Sequence, residues 1–125
     1  MFYLTKSSFE EIINEYKDCI RLNADIDYGD KSAVRKANKA VDRMIKISRL
    51  ISDNYPYRTY DFAQLLSDKE FRTNIWIAHH ILENMIYPKD LEARALEVII
   101  EYSKEDSVNG LGNRMWLDNW YKKKD

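Results

Sequence analysis

Apolar and polar residues alternate along this chain with a helical period almost throughout. Between Asp68 and Tyr87, Phe71, Ile75, Ala78, Leu82 and Met85 recur three or four residues apart, while Trp76, Ile77, Ile81 and Ile86 widen the apolar arc beyond a single face. That spacing predicts a central helix over 68–87 that needs neighbours on several sides. Either Ser67 or Asp68 can cap it, and with Ser67 as the cap Glu70 completes a capping box, in which hydroxyl and carboxylate each satisfy an orphan backbone donor.

The flanking segments are more one-sided and read as the walls around it. After Phe2, Tyr3 and Leu4, Ser7 and Glu10 form a second capping-box pattern, and Phe9, Ile12, Ile13, Tyr16, Cys19 and Ile20 make the stripe of a helix ending near Asn23 or Ala24. From Lys31 to Ser52, Val34, Ala37, Val41, Met44, Ser48 and Ile51 run down one side, flanked by Ala40 and Ile45. Asn54, Tyr55 and Pro56 stop that helix, because proline disfavours helical dihedrals at the residue before it. A shorter helix follows over Tyr57 to Leu66. Pro88 opens another running to about Lys104, packed through Leu91, Ala95, Leu96, Ile99, Ile100 and Tyr102. Ser107 to Gly112 reads as a glycine-containing loop, and Asn113 to about Lys122 as a last helix. There Trp116 and Trp120 stand one turn apart beside Met115 and Leu117, before a solvated KKKD tail. The pattern predicts a single all-α domain of about six helices in antiparallel pairs.

Composition narrows the function without naming it. The chain has 125 residues with 20 basic against 21 acidic side chains, so no overall field selects nucleic acid or an anionic membrane. Three Gly and two Pro argue against a sheet-rich fold. The opening MFYLTKSSF lacks the basic start, apolar run and cleavage site of a secretory signal, and charges interrupt every apolar segment before it reaches membrane-spanning length. The single Cys19 has no internal disulfide partner, and these features together read as cytoplasmic. Nine Tyr residues are the exception to an ordinary composition, and Tyr is a residue that interfaces favour.

Candidate chemistry is sparse. Asp25, Asp27 and Asp30 around Gly29 invite a calcium reading, but no Gly falls at a sixth loop position and no Glu at a twelfth, so the segment reads as a turn with Asp30 as helix cap. His79 and His80 are adjacent on a helix and point about 100 degrees apart, so they cannot chelate one metal; hydrogen-bonded, partly buried imidazoles are the expectation. No cofactor, metal or catalytic residue is expected, and the chain reads as a non-enzyme. Lys31, Arg35, Lys36, Lys39, Arg43, Lys46 and Arg49 give the second helix a basic face with only Asp42 against it. An acidic rim on the first helix, with Glu10, Glu11, Glu15 and Asp18, would neutralise that face without any ligand. From Pro88 to Tyr121 four basic residues meet seven acidic ones, a local net of minus three that suits a basic partner.

Two stretches carry a resemblance. FRTNIWIAHHILE with ALEVIIEYSKED resembles the helix pair of a HEAT-type repeat, with Arg72 near the helix start and Ala78 and Leu82 on the inner stripe. VRKANKAVDRMIKI with GLGNRMWLDNW resembles the opening and closing signatures of a small bacterial family of uncharacterised helical-repeat proteins. The resemblance spans most of residues 33–121 and implies a HEAT-like right-handed helical stack, of the kind found among immunity proteins that neutralise contact-delivered or polymorphic toxins. It brings no catalytic residues. The partner it implies is a cognate protein toxin, a nuclease being one class, with Asp25, Asp27, Tyr28, Tyr55, Tyr57, Tyr60, Glu97 and Glu101 as the expected contact residues. Nucleic-acid binding through the basic helix 31–49, or a general adaptor role, is the alternative; no membrane contact is expected.

Overall fold

The computed structural model of the chain describes residues 6–124. It is all-α, with six α-helices among those residues: α1 Lys6–Ala24, α2 Lys31–Asn54, α3 Thr59–Ala63, α4 Thr73–Asn84, α5 Lys89–Ser103 and α6 Val108–Lys124. Short 3-10 turns at Pro56–Arg58, Gln64–Ser67 and Glu70–Arg72 flank α3 and lead into α4. The Ser7 side chain of the expected first capping box, together with Phe2, Tyr3 and Leu4, lies outside the described residues, and α1 is already under way at Lys6.

Helices adjacent in sequence pack together, α1 on α2, α4 on α5 and α5 on α6, while α4 also lies against α2 and α1. This is the burial the apolar girth of α4 demands. Ile77, Ala78 and Ile81 have no exposure at all, and Thr73, Asn74, Ile75, His80 and Leu82 are buried beside them. Ile77 and Ile81 each contribute about 1.5–3 kcal/mol relative to exposure. The stripe expected on α2 is buried through Ala37, Met44, Ser48 and Ile51; Ile47, outside that stripe, is fully buried too, and Ile45 only half so. Aromatic contacts lock α1 to the rest. The Phe9 and Tyr55 rings lie 5.4 Å apart, the Tyr16 ring meets Phe62 edge-on at 5.0 Å, and the Arg58 guanidinium sits 4.0 Å above Phe9.

Three expected elements are drawn differently. The central helix begins at Thr73, not Asp68, because Phe71 (φ 53°) and Arg72 (φ 61°) are left-handed. The Ser67–Glu70 box does not form. Instead the Asp68 carboxylate accepts from the Glu70 amide at 3.0 Å, and the Asp68 carbonyl accepts from the Asn74 amide at 2.8 Å. Phe71 is consequently 46% exposed, and Ile86, past the helix end, is 84% exposed. The expected loop Ser107 to Gly112 is helical from Val108, since the Ser107 hydroxyl accepts from the Gly110 amide at 3.0 Å and its carbonyl from Leu111 at 2.9 Å. Helix α6 then runs to Lys124, so the lysines of the expected tail continue it. Ile100, placed on the packing side of α5, is on its exposed side.

Candidate functional site

A cleft of about 640 Å³ opens where three segments meet. Its first wall is the end of α1 and the following turn, with Asn23, Ala24, Ile26 and Tyr28; its floor is Phe71, Arg72, Ile75, Trp76 and His79; its third wall is Asn109 and Asn113 of α6. The turn is built by its own acids. The Asp27 carboxylate accepts from the Gly29 amide at 3.0 Å, and Asp30 caps α2 by accepting from Ser32 and Ala33 at 2.9 and 3.4 Å. These carboxylates are therefore consumed by local structure, as the reading of Asp30 as a cap expects.

The two histidines part company. His79 lines the cleft, its Nε2 2.7 Å from Asn113 Oδ1 and its ring edge-on to Trp116 at 4.8 Å. Asn113 Nδ2 donates to the Asn109 carbonyl at 2.9 Å, which turns its oxygen toward His79 and fixes the proton on Nε2. His80 points to the opposite side, where Nδ1 meets the Tyr16 hydroxyl at 2.7 Å. Burial there holds the imidazole down at about 4, with His79 adding to the effect, and pushes the Tyr16 phenol well above its ordinary range. Glu83 accepts from Trp116 Nε1 at 3.0 Å, so it does not converge with either imidazole. Among the described residues no three His, Cys, Asp or Glu side chains gather as metal ligands, and no helix is long and apolar enough to cross a membrane.

A second cleft, also about 640 Å³, lies between the segment before α4 and α5. It is electrically mixed, with Lys69, Arg72 and Lys104 facing Glu97, Glu101 and Glu105. Arg72 belongs to both clefts. Its guanidinium lies 4.7 Å from the centre of the Tyr102 ring and donates to Glu105 at 2.8 Å, which holds the Glu105 carboxyl below its ordinary range.

The eight expected contact residues do not form one patch. Asp25, Asp27 and Tyr28 lie at one end of α2, and Tyr55, Tyr57 and Tyr60 follow its other end; its 24 residues span about 36 Å. Tyr55 is 2% exposed and belongs to the core, so as a contact residue it is corrected. Tyr57 and Tyr28 are open, whereas Tyr60, half exposed, donates its hydroxyl to Asp90 at 2.7 Å. Glu101 is drawn toward Lys104 at 3.4 Å, which blunts the expected acidic face. The complementary rims of α1 and α2 meet where Arg43 grips Glu15 through two nitrogens, the Nη2–Oε1 distance being 3.0 Å. Lys31, Arg35, Lys36, Lys39, Lys46 and Arg49 are exposed and make no ion pair among the described residues.

Residue patterning gives no warning of the cleft itself. Asn23, Asn109 and Asn113 are scattered in the chain, and their one visible clue is the one-turn spacing of 109 and 113, hidden where the glycines suggest a loop. One more exposed feature lies outside the expected set. Val108, Leu111 and Met115 recur at helical spacing along the outer side of α6 and are 86%, 50% and 58% exposed. Comparison of the chain with family models, with curated proteins and with solved structures finds no match.

Proposed function

We propose that the chain is a non-enzymatic protein-recognition module, and that it serves as an immunity protein which binds and neutralises a cognate bacterial toxin of a contact-dependent or polymorphic system. The HEAT-like right-handed stacking of its helix pairs and a cytoplasmic location belong to the same proposal. The observation that carries the reading is the apolar outer face of α6. Contiguous apolar side chains on an exposed helix face mark interaction sites, so Val108, Leu111 and Met115 open to solvent along α6 call for a partner to cover them. Large aromatic side chains open to solvent, Tyr28 at 79% and Tyr57 at 71%, are the kind of anchor that protein interfaces use. Asp90 and Glu97 on α5 favour a basic partner, a toxic nuclease among them.

The test is to read the frames flanking this chain's own for a toxin-like protein and to co-express its C-terminal region with the chain. Wild type should form a stable complex and protect growth. Leu111→Glu with Met115→Glu should weaken the complex at least tenfold, about 1.4 kcal/mol, without lowering the melting temperature. No complex, or one indifferent to both changes, contradicts the reading.

A second reading rests on the unneutralised α2 face. Six cations without an ion pair among the described residues, spread over about 27 Å of helix, form a ridge that can follow a phosphate backbone, with no aromatic side chain interleaved to read bases. It predicts salt-sensitive binding to duplex DNA or RNA that is lost in Lys39→Glu with Lys46→Glu.

A further inference from the structure

We propose that the cleft between the α1–α2 turn, the turn before α4 and the start of α6 receives a short, extended, uncharged peptide segment. The proposal rests on the protein-recognition reading and names what enters this site: a stretch of the partner's own chain. Its volume, about 640 Å³, falls within the range of about 300–1,000 Å³ at which clefts enclose small ligands.

Charge decides against phosphate-bearing ligands. The one charged side chain in the lining is Arg72, and its guanidinium is already committed to Glu105 at 2.8 Å and to the Tyr102 ring. The remaining polar side-chain groups are three carboxamides, one imidazole, the Tyr28 hydroxyl and the Trp76 indole N–H, all neutral hydrogen-bonding groups. A carboxamide carries a donor and an acceptor side by side and so matches the edge of a peptide group. Asn113 spends its carboxamide on His79 and on the Asn109 carbonyl, so the carboxamide of that wall left for an incoming chain is that of Asn109. Asn109 has no side-chain bond among the described residues. Asn23, on the facing wall, uses its Nδ2 on the Cys19 and Ala37 carbonyls and keeps Oδ1 as an open acceptor. Between these walls, Ile75 and Trp76 offer an apolar floor to every second side chain of such a peptide.

The backbone supplies a second, independent observation. Two consecutive non-glycine residues, Phe71 and Arg72, are left-handed, an arrangement that costs roughly 1–2 kcal/mol per residue and persists where surrounding structure enforces it. Its effect is to lift the Phe71 ring out of the core, 46% exposed at the cleft edge, while turning Arg72 toward Glu105. The strained turn thus leaves an aromatic ring at the cleft edge and the Arg72 charge paired with Glu105.

The test pans a displayed library of random twelve-residue peptides against the intact chain. Enriched peptides should be poor in charge and carry large apolar residues two positions apart. Their synthetic versions should shift the Trp76 indole and the Asn23 and Asn109 side-chain amide signals in nitrogen–proton NMR spectra. Binding should fall at least tenfold in Asn109→Ala, an exposed position that leaves the fold intact, and in Trp76→Ala, and stay unchanged in Met115→Glu. Absence of enrichment, or peptides indifferent to Asn109→Ala and Trp76→Ala, overturns the proposal. So does adenosine or a chitin trisaccharide moving those same signals where the peptides do not. Loss of toxin binding in the α6 variants alone, with no peptide entering the cleft, leaves the recognition role standing and removes only this site.

Discussion

Tyr16 and His80 stand 64 positions apart in sequence and meet at 2.7 Å inside the core, a neutral hydrogen bond between two groups that burial keeps uncharged. The imidazole takes a proton near pH 6.5 in the unfolded chain and at about 4 in the folded one, so on acidification the unfolded state is protonated first. Stability from this group is therefore whole above pH 6.5, declines between 6.5 and 4, and falls no further below that. The loss is on the order of 3 kcal/mol. Thermal melts from pH 7.5 to 4 should show this decline in wild type and a much flatter profile in His80→Gln; equal slopes contradict the assignment. The Glu15 carboxyl, held below its ordinary range by Arg43, adds acid sensitivity in the same direction and stays in both proteins. Phe71 supplies the second residue-scale prediction. Glycine removes the Cβ conflict at φ 53°, so Phe71→Gly should stabilise by about 1 kcal/mol in denaturant unfolding, and a destabilised variant would refute the strain. Nothing in the sequence reveals this turn. Left-handed positions are usually marked by Gly, Asn or Asp, and here they carry a phenylalanine and an arginine chosen by what their side chains reach.

Among the elements, α6 shows most clearly what a local pattern conveys and what it hides. Gly110 and Gly112 look alike in sequence and suggest a loop, yet both are helical. A Cβ on Gly110 would lie 1.9 Å from the Glu105 carbonyl oxygen, whereas one on Gly112 meets nothing within 4 Å. Gly110→Ala should thus cost about 2–3 kcal/mol, and Gly112→Ala should stabilise by about 0.5–1 kcal/mol through helix propensity. Urea unfolding of the two variants checks both signs, and similar values for the pair would contradict the packing. Helices α1, α2 and α5 were legible because each buries one side and wets the other, which imprints the helical period on the chain. The start of α4 was not, because long-range contacts of Arg72 with Tyr102 and Glu105 set it. The cleft was illegible for the same reason: its walls come from three distant segments, and its carboxamides acquire meaning only once α6 is laid beside α4.

At the scale of the whole molecule, the all-α architecture follows from the girth of α4, while the working surfaces are what that burial leaves over. They are separate in place and character: a cationic ridge on α2, a neutral amide-lined cleft, and an apolar stripe on α6. The ridge predicts that any polyanion affinity weakens steeply as salt rises, whereas contact through the apolar stripe should be nearly salt-independent. The most direct measurement is therefore calorimetric titration of whichever toxin-like domain a neighbouring reading frame encodes with wild type and with Leu111→Glu plus Met115→Glu, at low and high salt. Tight binding that survives salt and weakens at least tenfold in the double variant is the expected result. Binding that vanishes with salt and ignores both substitutions would contradict it.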